Sequence, residues 1–145
     1  MLTQKQVDCL LVLLKKLSSF NSIEFPTLGS CLILDAVDVD ERESFLLDVQ
    51  RKGKLKPTKC TYQKRYQSVE ILLRLDIDGP THDNPDGESV PCPHIHIYRE
   101  GYADKWAYPL PAAAFPDATD LVITLTDFLK YCKINRIPSV QRVTI

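Results

Sequence analysis

Two histidines, a tyrosine and a lysine stand close together in residues 91–109, which read PCPHIHIYREGYADKWAYP. Imidazole changes its charge near neutral pH, so two histidines can act as a general base and a general acid. A lysine beside them can hold a phosphate group, and a tyrosine can assist. The residues expected to carry any chemistry are therefore His94, His96, Tyr98 and Lys105.

Polar and apolar residues alternate along the first half of this segment, which is typical of a strand with one face in the core. The alternation places both histidines and Tyr98 on one face. A turn around Gly101 predicts a hairpin whose second strand puts Ala107 opposite His96 and adds Lys105 to the histidine face. Polar residues on the solvent side of a sheet are common, so this face also fits a sheet surface without any activity.

Metal binding is a further use for histidines at positions i and i+2 of a strand. Structural zinc takes four ligands, whereas this segment supplies two and His82 lies in a separate loop. The aspartates around that loop do not have the spacing of an EF-hand: they are Asp76, Asp78, Asp83 and Asp86. Cys92 is about 7 Å from His94 along a strand, too far for direct proton transfer. The sequence therefore predicts no metal ligand and no cofactor.

The composition is that of a single globular domain covering residues 1–145. Apolar residues make up 44% and charged residues 26%, with a net charge of −1 at neutral pH. The five cysteines contain no CxxC pair, which argues against a zinc ribbon or a disulfide scaffold. Without a long apolar run or a signal-peptide pattern, the expectation is a cytoplasmic protein that does not contact a membrane.

Apolar periodicity predicts two helices, one over residues 3–19 with Thr3 as its N-cap and one over residues 118–134 with Asp117 as its N-cap. Further strands beside the histidine hairpin are predicted from β-like runs: they are residues 30–37, 44–50, 69–77 and 140–145. The predicted fold is α+β, a mainly antiparallel sheet of about five to seven strands with the N-terminal and C-terminal helices packed on one face.

A basic segment precedes the 69–77 strand: residues 51–65 contain seven lysines and arginines and no acidic residue. Cations with interleaved tyrosines suit the phosphates and bases of a nucleic acid, RNA more than duplex DNA. The predicted binding residues are Lys54, Lys56, Lys59, Tyr62, Lys64, Arg65, Tyr66 and, from the hairpin, Arg99. The alternative is a charged loop followed by an edge strand that its lysines protect from aggregation.

The loop of residues 78–89 connects the 69–77 strand to the histidine hairpin. Its prolines and glycines disfavour regular structure. Loops of this length within a compact domain are often functional. Because this loop leads directly into His94, we expect it to fold over the histidine face as a lid.

The stretches PCPHIHIYREG and DKWAYPL within residues 91–109 resemble small bacterial and phage proteins that carry a Pro-His-x-His strand, some of them found near toxin–antitoxin genes. The resemblance implies an accessory role in a mobile element or prophage. The residues it marks as candidates for function are His94, His96, Tyr98, Arg99, Lys105 and Trp106.

Three functions follow, in order of preference. The first is an interaction protein of a prophage or defence-related system that binds a protein or a nucleic acid through the polar sheet face. The second is a metal-independent, toxin-like endoribonuclease in which His94 and His96 serve as base and acid, Tyr98 assists and Lys105 holds the phosphate. The third is a metal-dependent hydrolase. An exposed edge strand would permit a homo-oligomer without indicating one.

Overall fold

In a computed structural model the chain folds into an antiparallel sheet with helices on one of its faces. The structure describes residues 1–18, 22–52 and 56–142. The elements are α1 (Gln4–Val12), β1 (Lys15–Leu17), β2 (Ser22–Glu24), β3 (Cys31–Asp38), β4 (Ser44–Gln50), β5 (Cys60–Tyr66), β6 (Glu70–Ile77), β7 (His82–Asp83), β8 (Ser89–Val90), β9 (His94–Ile97), β10 (Ala107–Pro109), α2 (Leu121–Tyr131) and β11 (Ser139–Gln141). This arrangement confirms the predicted α+β fold.

The main sheet has, within the described residues, seven strands in the order β1-β3-β4-β5-β6-β9-β10, and all its neighbouring pairs are antiparallel. Two short ladders accompany it: β2 pairs in parallel with β11, and β7 pairs with β8. The predicted hairpin register is confirmed, because Ala107 lies opposite His96 and Tyr108 lies opposite Ile95. The histidine strand β9 thus sits between β6 and β10, near one end of the sheet.

The two faces of the sheet carry different residues. One face is apolar and joins the buried residues of both helices in a single core cluster, in which Leu75 and Ile95 are paired across β6 and β9. Burial of one such side chain contributes about 1.5–3 kcal/mol. Because successive side chains in a strand point to opposite faces, the neighbours Asp76 and His94 lie on the other, polar face.

Helix α1 begins as predicted and ends earlier. Thr3 caps it in a capping box with Gln6, but the helix stops at Val12 rather than near residue 19. Leu13 is extended, and the chain continues as β1 beside β3. Sheet pairing, together with the burial of Lys15, therefore prevails over the helical periodicity of the leucines in this region.

The C-terminal elements differ in detail from the prediction. Helix α2 lies within the predicted range, but its N-cap is Asp120 rather than Asp117, since the Asp120 carboxylate accepts hydrogen bonds from the Val122 and Ile123 amides. The last strand, β11, pairs with β2 instead of extending the main sheet; the part of the predicted strand at 143–145 lies outside the described residues. None of the described helices has the length and apolar character needed to span a bilayer.

Candidate metal centre on the polar face of the sheet

The candidate site is built on two neighbouring strands, β6 and β9. Their register pairs Asp76 with His94 and Arg74 with His96. Directly opposed residues in an antiparallel pair share a face, so all four side chains lie together on the polar side of the sheet. His94 and His96 are nevertheless almost fully buried, at 2% and 1% exposure.

Three electron-pair donors converge at the centre of this group. The Asp76 Oδ2 atom lies 3.3 Å from His94 Nε2 and 3.2 Å from His96 Nε2. All three atoms lie within 4.8 Å of one another. Two imidazoles and one carboxylate at such distances are a ligand set that zinc and related divalent metals use in proteins.

Backbone carbonyls fix the orientation of both rings. His94 Nδ1 is 3.1 Å from the Val90 carbonyl, and His96 Nδ1 is 2.8 Å from the Asp104 carbonyl. Because a carbonyl oxygen only accepts, each Nδ1 carries the proton that it donates. In the neutral form of each ring, the Nε2 lone pair is therefore directed toward Asp76.

The Asp76 carboxylate is held in its ionised form. Its burial raises its pKa, but the hydrogen bond with His96 and the positive charge of Arg74 outweigh burial, and the pKa of Asp76 lies well below its usual value. The Thr61 hydroxyl donates to Asp76 Oδ1 over 3.0 Å, which orients the carboxylate and leaves Oδ2 to the histidines.

Arg74 borders the centre on one side. Its Nη1 donates to the Asp104 carboxylate over 2.6 Å, and its Nη2 lies 3.1 Å from His96 Nε2. The guanidinium Nε is 3.4 Å from Asp76 Oδ2. The arginine therefore places a fixed positive charge beside the three converging donors.

The loop between β6 and β9 covers the histidines, in agreement with the lid expected from the sequence. The His82 ring packs edge-on against His96 at 4.6 Å between ring centres, and its Nε2 donates to the Lys105 carbonyl over 2.7 Å. The buried Asn84 side chain hydrogen-bonds both the amide and the carbonyl of Ala107, at 2.8 and 2.9 Å. These contacts fasten the loop to β10.

A cavity of about 440 Å³ opens beside the three donors. Its walls come from the sheet and from the loop, and they are mostly polar. They include Gln50, Lys59, Thr61, Gln63, Arg74, Asp76, His82, Cys92, His94 and His96. A small substrate or a segment of a larger one can therefore reach the histidines from this side.

Only two of the four predicted catalytic residues belong to this site. His94 and His96 meet there, whereas Tyr98 is buried in the core, where its hydroxyl accepts a hydrogen bond from the Leu2 amide. The face alternation is lost because β9 ends at Ile97 and β6 has an irregular register near Leu72. The Lys105 side chain is exposed, and this residue contributes its carbonyl to His82 instead.

The predicted basic surface is largely taken apart by the fold. Tyr62 and Lys64 are fully buried on the core face, because β5 directs them toward the helices. Within the same segment, Arg65 forms an ion pair with Asp48.

The other predicted binding residues are scattered. The Tyr66 hydroxyl donates to Glu43, Lys56 lies near Asp78, Lys59 is exposed at the cavity, and Arg99 stacks on the Trp106 ring at 4.4 Å; Lys54 lies outside the described residues. The fold does not bring these side chains together on one surface.

Sequence reasoning missed three members of the site, Asp76, Arg74 and His82, as partners of the histidines. Asp76 and Arg74 alternate with apolar residues along β6 and therefore share its polar face. That signal was present in the sequence, but the pairing of β6 with β9 across the intervening loop was not predicted.

Comparisons with known proteins give a family and no activity. A model for a family of unknown function, DUF6978, matches residues 2–134. No curated protein and no solved structure matches the chain. The prophage or defence-related role and the named partners therefore stay predictions. Since the match covers most of the 145 residues, the chain belongs to the DUF6978 family.

Proposed function

We propose that the protein is a metal-dependent hydrolase whose ion is held by Asp76, His94 and His96. The observation that carries the proposal is the approach of two imidazole Nε2 atoms to one carboxylate oxygen, at 3.2 and 3.3 Å. In a tetrahedral zinc site with ligands at about 2.1 Å, neighbouring donor atoms lie about 3.4 Å apart. The separations therefore fit a divalent ion of that size.

The orientation of the rings supports the same reading. Histidines that bind metals usually donate their other ring N–H to a carbonyl or a carboxylate, as His94 does to Val90 and His96 to Asp104. Lone pairs on two nitrogens and a carboxylate oxygen repel one another at this distance unless a cation or a proton lies between them. The arrangement thus needs a positive species at its centre.

The residues around the centre suit hydrolysis. A bound divalent ion supplies a more acidic water and polarises a substrate oxygen. The three ligands leave the cavity side of the centre accessible, and Arg74 favours a substrate that is anionic or becomes so during the reaction. Arg74 has to release His96 Nε2 when that nitrogen binds an ion, and its pairing with Asp104 keeps the guanidinium nearby.

The metal-independent endoribonuclease fits these residues less well. In phosphoryl transfer the attacking and leaving oxygens lie roughly in line, so the base and the acid work from opposite sides of the phosphorus. Here the two Nε2 atoms lie within 4.8 Å of each other beside the same carboxylate. That placement suits two ligands of one ion better than an opposed acid and base.

The experiment that tests the proposal is metal analysis of protein purified without a histidine tag, followed by calorimetric titration with Zn²⁺ and Mn²⁺. Wild type should bind one equivalent, and the variants Asp76→Ala and His94→Ala should lose it. The matched control is His82→Gln, a third histidine of the same cavity that is not among the ligands, and this variant should still bind. Hydrolysis of bis(p-nitrophenyl) phosphate, simple esters and RNA is then measured with and without EDTA.

The outcomes separate the three candidate functions. Stoichiometric metal with EDTA-sensitive hydrolysis supports the proposal. RNA cleavage that persists in EDTA and is lost in His96→Ala would replace it with the metal-independent ribonuclease. Absence of both metal and hydrolysis would return preference to the interaction protein, whose partner would then be sought by pull-down.

A further inference from the structure

We infer that Cys92 is a fourth, reversible ligand of this metal centre and closes it to substrate when bound. The inference rests on the proposed function and adds a means of regulating the same site. It gives the centre two forms: an open form with three protein ligands and a closed form with four.

Cys92 is already in contact with the ligand set. Its Sγ atom lies 3.7 Å from Nδ1 and 3.9 Å from Nε2 of His94. The residue is half-buried and lines the same cavity as the three proposed ligands. His94 Nδ1 already donates to the Val90 carbonyl, so the thiol is not needed to satisfy that nitrogen.

The distance from the thiol to His94 is close to that of a shared metal site. With zinc–sulfur and zinc–nitrogen bonds of about 2.3 and 2.1 Å, sulfur and nitrogen ligands of a tetrahedral zinc lie about 3.6 Å apart. The observed 3.9 Å to Nε2 is slightly longer. A cysteine has a single side-chain torsion between its backbone and Sγ, so rotation about that bond is the movement that would bring the sulfur into the centre.

Thiolate ligation would change both the access to the ion and the choice of ion. Zinc sites closed by four protein ligands are structural, whereas catalytic sites keep a position for water or substrate. On binding, the Cys92 thiol gives its proton to solvent and the sulfur takes the position that a water would use. Thiolate also favours zinc over magnesium, calcium or manganese, which prefer oxygen ligands.

Cobalt substitution tests the inference without measuring activity. Co²⁺ in the centre gives visible d–d bands, and a thiolate ligand adds a charge-transfer band in the near ultraviolet. We expect both bands in wild type, and only the d–d bands in Cys92→Ser and Cys92→Ala. The matched control is the exposed cysteine variant Cys31→Ser, which should keep both. Zinc affinity should fall by at least about tenfold in Cys92→Ala, given that even outer-sphere changes cost 10–100-fold.

The result distinguishes the inference from the function it rests on. d–d bands without a charge-transfer band in wild type would overturn the role of Cys92 and leave the three-ligand centre in place. A charge-transfer band that survives in both Cys92 variants would also overturn it, because another cysteine would then be the ligand. Absence of every cobalt band would overturn both this inference and the metal centre.

Discussion

Lys15 and Lys64 lie side by side in the core, with their Nζ atoms 5.0 and 6.0 Å from the centre of the Phe45 ring. Both residues have 0% exposure. Lys15 donates to the Leu13 and Cys132 carbonyls, whereas Lys64 Nζ has no hydrogen-bond partner within the described part of the chain. Two buried amines without a counterion oppose folding, since burial disfavours their charged forms.

The first prediction is that Lys64→Met stabilises the protein. Methionine has a similar length, fills the same space beside Phe45 and removes the cost of burying an amine. Replacing buried charged groups with apolar side chains of similar volume has given roughly 1–4 kcal/mol. Urea unfolding should show this gain, whereas Lys16→Met, which changes an exposed neighbouring lysine, should leave the free energy of unfolding nearly unchanged. A loss of stability in Lys64→Met would mean that Lys64 has an attractive partner.

The second prediction concerns the pH dependence of that gain. Burial, and then the neighbouring charge of Lys64, lowers the pKa of Lys15 from 10.5 to about 7, and burial also lowers the pKa of Lys64. Between pH 7 and 10.5 the unfolded chain therefore binds more protons than the folded chain, and this pair makes stability rise with pH. The advantage of Lys64→Met over wild type should be largest near pH 7 and shrink toward pH 9. Unfolding curves of both proteins across this range check it, and a constant difference would contradict the lowered pKa values.

The buried lysines also show what the sequence could not provide. The element types, the hairpin register and the placement of both helices were predictable, because they follow from periodicity and local turn residues. The face on which Lys64 points was not, because its segment reads as polar and basic and gives no sign that a lysine would be placed in the core. Charge alone therefore indicated a binding surface where the fold buries the side chain.

The candidate site was half predictable for a related reason. His94 and His96 are two residues apart, and strand alternation alone places them on one face. Asp76 and His94 are 18 residues apart, and their contact depends on how β9 pairs with β6 after the intervening loop. Such long-range pairing is fixed by packing of the whole sheet rather than by any local motif.

The third prediction is that Thr61 is a positioning residue for the metal centre. Its hydroxyl donates to Asp76 Oδ1, so Thr61→Val should free the carboxylate to rotate while keeping the shape of the side chain. Loss of an outer-sphere hydrogen bond of this kind lowers metal affinity by roughly 10–100-fold. Titration calorimetry with Zn²⁺ should show this fall in Thr61→Val and near wild-type affinity in Thr61→Ser, which keeps the hydroxyl. Equal affinities in the two variants would show that Thr61 does not orient Asp76.

The fourth prediction separates a structural role of Arg65 from the binding role that the sequence suggested. Arg65 makes two hydrogen bonds to Asp48, at 2.6 and 2.8 Å, and Asp48 is only 1% exposed. Removing the partner of a fully buried charge costs about 3–5 kcal/mol, and the partial exposure of Arg65 places the expected loss for Arg65→Met nearer roughly 2–3 kcal/mol.

Lys59→Met is the matched control for Arg65→Met, because Lys59 is a cation of the same segment that is exposed at the cavity. Denaturant unfolding should show the loss in Arg65→Met and almost none in Lys59→Met, since an exposed lysine contributes little to stability. The double variant Asp48→Asn/Arg65→Met should recover part of the loss, because it no longer leaves a buried carboxylate unpaired. If Arg65→Met were as stable as wild type, the guanidinium would be free for a partner, and the basic segment would regain its place as a candidate binding surface.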